Sequence, residues 1–274
     1  MSNRVQRLSS EDRPAIQTLL EQEAICNLFL IGFVEANPID RGWWYGVVCD
    51  GVLSGVVLVL PGRLAVPFCP EPNDAAQIGD QLYHLHRPTL VVGPRTASDA
   101  LWARWARGQR AGRTYDQRLY CLQHPPGGED PPGFRRAMYE EWPEIADYSA
   151  AMEREDLGMD PASENPQLHD QVVQERIKSG RTWVIERDES ILFQINVGTT
   201  HPYGVQIGGT YVPPAHRGRG HAKGGVAALG RRLLARYPRV TLHVNEANAP
   251  AIRVYEACGF LRDAPFRLIT PRSP

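Results

Sequence analysis

Along the chain, apolar residues recur every second position in some stretches and every three to four in others, and each change of period marks a new element. A short strand is expected near Arg4–Leu8, then Ser9, whose hydroxyl can cap a helix opening near Glu11 with Asp12 at capping-box spacing. Helical spacing runs through Ile16, Leu19 and Leu20 and on through Ile25, Leu28, Phe29 and Val34. Three strand patterns follow, Trp43–Cys49, Val52–Leu60 and Arg63–Phe68, separated by the turn dipeptides Asp50-Gly51 and Pro61-Gly62, so an antiparallel meander is predicted. A helix over Asp74–His84, a strand over Thr89–Val92, a helix over Ala97–Trp105 and a strand over Arg118–Leu122 close this half.

The stretch His124–Gly133, HPPGGEDPPG, holds four prolines and three glycines in ten residues and reads as a linker. After it the order recurs. A strand is expected over Phe134–Tyr139, a helix from Pro143 to about Leu157, a second helix over Gln167–Ser179, and a hairpin of Thr182–Glu186 and Ile191–Val197 turning at Asp188-Glu189. Strand Val205–Val212, a long helix over Arg219–Arg236, strand Val240–Val244, helix Ala249–Ala257 and terminal strands near Phe260 and Phe266–Ile269 complete the chain. Both halves read β-α-α-β-β-β-α-β, with an extra helix and strand ending the second. The expectation is an α/β protein of two similar domains in tandem, residues 1–123 and 134–274, joined by 124–133.

Composition narrows the function classes. With 274 residues, 42% hydrophobic and 22% charged, the chain can bury two cores. A net charge of −1 gives no bulk field for nucleic acid or an anionic membrane, and neither is expected as a partner. The five cysteines are scattered without a C-x-x-C pair, and the N-terminus lacks an apolar signal core, so a reducing cytoplasm is expected. The apolar run Val52–Leu60 is too short to span a bilayer. His84-x-His86 has no Cys, Asp or Glu at a completing spacing, so no metal is expected.

The chemistry concentrates in Val205–Ala222, VQIGGTYVPPAHRGRGHA. A strand runs into Pro213-Pro214, and then the basic turn Arg217-Gly218-Arg219-Gly220-His221-Ala222 opens a helix. Glycines let successive N–H groups converge where the helix dipole is positive, which makes an anion site. Small residues at 220 and 222 admit a pyrophosphate, and Arg217 and Arg219 can add charge-assisted bonds. The turn is neither a Walker A loop nor a Rossmann G-x-G-x-x-G.

Downstream stands Thr241–Phe260, TLHVNEANAPAIRVYEACGF. Together, Arg217-x-x-Gly220-x-Ala222 and Asn248-x-x-Ala251-x-x-x-Tyr255-x-x-x-Gly259-Phe260 resemble the paired motifs of the GNAT (GCN5-related N-acetyltransferase) superfamily over about Phe134–Thr270. A weaker resemblance, on Asn27-Leu28-Phe29 with a following Val-Glu-Ala and on Val92-Gly93-Pro94, is to bacterial two-domain proteins with an N-terminal GNAT-like module of the DUF4081 type. The resemblance implies acetyl-CoA as cosubstrate and an amine acceptor that attacks directly in a ternary complex. It places the pantetheine arm against the main chain around Tyr211 and Val212, between two splayed strands, and the pyrophosphate on the amides of Arg217, Gly218, Arg219, Gly220, His221 and Ala222. Asn248 would contact the arm or fix the splay, and Tyr255 would be the general acid to the departing thiolate.

For the general base, His243, Glu186 and Glu246 are candidates by location, beside a water relay; of these His243 and Glu186 are carried forward, though a structural histidine and a solvated glutamate explain them as well. Cys258 reads as a small core residue. The first half has no such loop: after strand Thr89–Val92 stands Gly93-Pro94-Arg95-Thr96-Ala97-Ser98, whose proline removes an amide, so this half is not expected to bind acyl-CoA. The function expected is acyl transfer to an amine, and the rival is a non-catalytic acyl-CoA-binding or sensing protein. An interaction scaffold keeping only the fold is the remotest reading.

Overall fold

The computed structural model describes residues 3–272. Ser9 makes the expected capping box: its hydroxyl accepts from the Glu11 N–H, and its own N–H donates to Asp12 at 2.7 Å. The elements before the Pro-Gly stretch are β1 (Asn3–Arg7), α1 (Arg13–Glu21), α2 (Leu28–Ala36), β2 (Trp43–Cys49), β3 (Val52–Leu60), β4 (Leu64–Phe68), α3 (Pro72–Leu85), β5 (Leu90–Pro94), α4 (Arg95–Trp105) and β6 (Ala111–Leu122). After it come β7 (Phe134–Arg136), α5 (Trp142–Leu157), α6 (Pro161–Glu164), α7 (Pro166–Lys178), β8 (Thr182–Arg187), β9 (Ser190–His201), β10 (Gly204–Tyr211), α8 (His221–Leu234), β11 (Val240–Asn245), α9 (Ala249–Ala257) and β12 (Leu261–Pro271). No helix among the described residues is long and apolar enough to cross a membrane.

The chain divides into two units. The first runs up to Leu119 and takes in Asn245–Ala247 and the residues from Asp263 on; the second is Tyr120–Val244 with Asn248–Arg262. The division departs from the sequence expectation at the C-terminus. Where two terminal strands were predicted for the second domain, one strand forms, and its Phe266–Ile269 pairs antiparallel with Pro94–Val91 of β5 in the first unit. Alternating apolar residues need a ladder partner, and β5 supplies it. The Pro-Gly stretch is also less free than a linker. Arg231 donates to the Gly127 carbonyl at 3.1 Å and to Asp130 at 2.6 Å, which pins the stretch to α8 within the second unit.

In the first unit the strand order is β1-β2-β3-β4-β5-β12-β6. The predicted meander is present, and Asp50 and Gly51, both at positive φ, form the two-residue turn that joins Cys49 to its partner Val52. The alternation along β3 sorts residues between two cores: Val56, Leu58 and Leu60 pack with Ile16, Leu20 and Ile31 of α1 and α2. Val57 and Val59 pack instead with Ile78, Leu82, Leu101 and Trp105 of α3 and α4. This is the period-two division that a sheet covered on both faces requires.

The second unit repeats the plan with the order β11-β10-β9-β8-β7. Ile185 and Phe193 join the cluster built on Val226 and Leu229 of α8, whereas Val184 joins Ile145, Val173 and Ile177 of α5 and α7. At Gly225 the helix and sheet come unusually close: a Cβ there would lie 2.2 Å from the Phe193 ring. That approach fixes the height of α8, and therefore of the turn that opens it, above the strands.

Candidate active site

Strand β10 is irregular where the site forms. Gly208 pairs with Asn196 of β9 and Tyr211 with Gln194, so Gly209 and Thr210 stand opposite Ile195 alone, which is a β-bulge. Gly209 takes φ +63°, and a Cβ on it would meet the Asn196 amide at 2.2 Å, so the position requires glycine. On its other edge β10 pairs parallel with β11 at Val205↔Val240 and Gln206↔Thr241, and the ladder goes no further. The two strands therefore part beyond Gln206, as expected for the splay, and the bulge lies at the mouth of the gap.

Beyond the mouth, Gly218 and Gly220 take φ +75° and +83°, and a Cβ on either would meet nothing within 4 Å. Gly220 is the N-cap of α8 and no side chain caps it, so the first-turn amides of the helix face outward. They open on a cleft of about 610 Å³ whose lining includes Arg187, Asp188, His216, Arg219, Gly220 and His221. His221 is held below its ordinary value by burial and then by the charges of Arg187, His216 and Arg219. The place offers an anion outward amides, room above Gly220 and the cations of Arg187 and Arg219, with the carboxylate of Asp188 on the same wall.

Arg217 does something other than expected. Its Nη2 donates to both carboxylate oxygens of Glu155 at 2.9 and 2.7 Å, its Nε donates to the Val212 carbonyl at 3.0 Å, and its guanidinium lies over the Tyr211 ring. The arginine thus ties the loop to α5 and donates to a main-chain carbonyl in the segment where the pantetheine arm is expected. Sequence reasoning missed Arg187, which enters the cleft from the end of β8; no local signal distinguished it from any strand-end arginine.

Tyr255 sits on α9 with 7% of its surface exposed, its ring edge-on to Phe260 at 5.9 Å. Thr210, in the bulge, lies close enough to its hydroxyl to lower its pKa, which puts the phenol near the parting of β10 and β11. Burial above all, with the nearby Asp156 and Cys258, pushes its pKa up to about 12 against Thr210, so it remains an O–H donor at neutral pH. Asn248 is the N-cap of α9: its Oδ1 accepts from the Ala251 N–H at 3.1 Å, and its Nδ2 donates to Asp156 at 3.1 Å.

His243 lies on β11 with Nδ1 3.4 Å from the Gln206 amide, and burial pushes its pKa down to about 4, which leaves it a weak proton acceptor. Glu186 accepts from the Glu189 N–H at 2.9 Å and stands 3.7 Å from Arg135. It braces a turn in which Asp188 and Glu189 both hold positive φ without a glycine. Cys258 is buried, its Sγ 3.5 Å from the Lys223 carbonyl and its thiol pushed up by burial, as a core residue should be.

The first unit has a counterpart of the split strands but not of the loop. Its β4 and β5 pair parallel at Leu64↔Leu90 and Ala65↔Val91 and no further, which matches β10 and β11. This pairing corrects where the missing loop belongs: it follows β4, not Thr89–Val92. There the chain reads Cys69-Pro70-Glu71-Pro72, without a glycine. The helix it opens has Asp74 in its first turn, buried and accepting from Ser54 at 2.6 Å, so a negative charge already stands at that helix start. Between the strands, the Pro67 ring fills the space that Gly93 leaves, its Cδ 2.9 Å from where a Cβ would be.

Two parallel strands that part at a bulge, a tyrosine at the parting and a helix start with uncapped amides come together in the second unit. Residues 136–260 match the sequence profile of the acetyltransferase (GNAT) family, and the second unit is a GNAT domain. No curated protein matches the chain. Among solved structures, a GCN5-related N-acetyltransferase from Sphaerobacter thermophilus is similar at 19% identity and TM-score 0.64, covering 99% of this chain and 96% of that one. A tandem GNAT protein from the clavulanic acid biosynthesis pathway is similar at 16% identity and TM-score 0.58, covering 100% and 99%. An acetyltransferase of the GNAT family from Colwellia psychrerythraea gives 11% identity and TM-score 0.60, covering 98% and 99%. At these identities the likeness concerns the fold: two GNAT-like halves in tandem along the whole chain.

Proposed function

We propose that the protein is an acetyl-CoA-dependent N-acetyltransferase whose second unit transfers the acyl group to an amine by direct attack. Bound acetyl-CoA supplies an acyl group already activated as a thioester. The chain's own residues do the rest. The amides of His221 and Ala222, with Arg187 and Arg219, hold the diphosphate, and the unpaired edges of β10 and β11 beyond Gln206 receive the arm. Tyr255 gives its proton to the departing sulfur, a role that needs a neutral hydroxyl and gains from burial.

The observation that carries this reading is the buried Tyr255 beside Thr210 of the bulge, where the strands part. Binding alone does not call for a proton donor there. In the Tyr255→Phe variant, turnover should fall by about 10²-fold or more while acetyl-CoA affinity measured by calorimetry holds. Undiminished turnover removes the role of Tyr255; a wild type that binds acetyl-CoA and acetylates nothing points to a sensor.

A further inference from the structure

Transfer to an amine also needs a group that takes the nitrogen's proton; burial makes His243 a weak acceptor, and Glu186 braces the β8–β9 turn beside Arg135. The last turn of α5 offers two adjacent carboxylates with different surroundings. Gly158, in the left-handed region at φ +60°, ends the helix directly after this turn. Glu155 is fully used, accepting from Arg217 at 2.9 and 2.7 Å and from the Tyr211 hydroxyl at 3.2 Å. Asp156 receives one hydrogen bond, from the Asn248 amide to Oδ1 at 3.1 Å, and among the described residues its Oδ2 accepts none.

Asn248 and Tyr255 lie seven residues apart on one face of α9, and a helical side chain leans toward its own N-terminus, so the tyrosine leans toward the asparagine that holds Asp156. The charge of Asp156 is felt at Tyr255, which is consistent with this placement. Facing Asp156 are Glu155 from its own helix, Arg217 from the loop before α8, and Asn248 and Tyr255 from α9. Burial first, then Glu155, holds its carboxyl above the ordinary aspartate range against Asn248 and Arg217. The negative end of the α5 dipole acts in the same direction as burial. A half-buried carboxylate with a free oxygen and a raised affinity for protons is what a general base requires.

Resting on the acetyltransferase reading, we propose that Asp156 is the general base, with Asn248 as the residue that positions it. The acceptor nitrogen's lone pair forms the bond to the acyl carbon, and the nitrogen's proton passes to the Asp156 carboxylate. The carbon–sulfur bond breaks with its electron pair on sulfur, which takes the Tyr255 proton. Asp156 then carries one proton more and Tyr255 one fewer, and exchange with solvent resets both.

The test uses the full chain, acetyl-CoA, a thiol readout, and spermidine, glucosamine and a lysine-containing peptide as probe acceptors. In Asp156→Asn, kcat/KM should fall by about 10²-fold or more, with the acidic limb of its pH profile gone and acetyl-CoA affinity unchanged. Asp156→Glu should recover part of the rate and restore the limb, which a purely structural aspartate would not do. Asn248→Ser keeps a capping oxygen but removes the amide donor, so the limb should move to higher pH. An Asp156→Asn enzyme with the wild-type rate and limb overturns the proposal and leaves the acetyltransferase reading standing. A wild type that releases no thiol with any of these acceptors, or binds no acetyl-CoA, overturns that reading and this proposal with it.

Discussion

Gly225→Ala adds one methyl group to the middle of α8, and two effects of opposite sign meet there. Helix propensity alone makes alanine better than glycine by about 1 kcal/mol. Packing says the reverse: the new Cβ would lie 2.2 Å from Cε1 of Phe193 and 2.6 Å from its Cδ1 and Cζ. Carbon atoms settle at roughly 3.5–4.0 Å, so the ring or the helix must give way by more than about 1 Å. Phe193 is fully buried and has nowhere to turn. Overpacking a filled core costs about 1–3 kcal/mol, which exceeds the propensity gain over most of that range. We therefore expect a net loss of up to about 2 kcal/mol and a fall in Tm of a few degrees, at roughly 2–4 °C per kcal/mol for a chain of this size.

The neighbouring substitution Gly224→Ala separates the two effects. A Cβ there would meet only the Pro131 ring, at 3.4 Å, an ordinary contact, so the propensity gain is unopposed and Tm should rise. Calorimetric melting of the two variants beside the wild type provides the assay. Because α8 opens at the turn proposed to hold the diphosphate, lifting it off Phe193 should also weaken acetyl-CoA binding although none of the groups proposed to touch the phosphates has changed. A Gly225→Ala protein that melts at or above the wild type would refute the claim that this glycine sets the height of the helix.

Three further outcomes are expected. His221 titrates below its ordinary value in the free protein, and a bound diphosphate would raise its pKa; the gain in acetyl-CoA affinity is then full below the free-state pKa and is lost as pH rises through the bound-state value. Calorimetry across this range should show that loss in the wild type and little of it in His221→Ala. Gly209→Ala sets a Cβ against the Asn196 amide at positive φ, so the bulge that holds Thr210 should distort and turnover should fall by more than tenfold, read by thiol release. Gly93→Ala presses on Pro67 and should lower Tm by a few degrees, whereas acetyl-CoA should still bind at one molecule per chain; a stoichiometry of two would refute the reading of the first unit.

What was legible in the sequence was local. The glycine turn at 217–222 and the helix it opens lie within a few residues of one another, and glycine at positive φ with outward amides follows from short-range sterics. The same holds for the Ser9 capping box, the Asp50-Gly51 turn and the α9 face that carries Asn248 and Tyr255. Tertiary structure decided what depends on partners distant in the chain. Phe266–Ile269 reads as a strand of the second half, but its place between β5 and β6 depends on partners distant in the chain. Arg217 reads as a phosphate ligand, and only the fold shows that its guanidinium pairs with a glutamate on α5, 62 residues away. Sequence placed the first unit's missing loop after Thr89–Val92, and only the two-rung pairing of β4 with β5 moves it to Cys69–Pro72. Asp156 had no motif to mark it, because a carboxylate's proton affinity is set by burial and by charges brought in from α9 and the Arg217 loop, and those are neighbours in space alone.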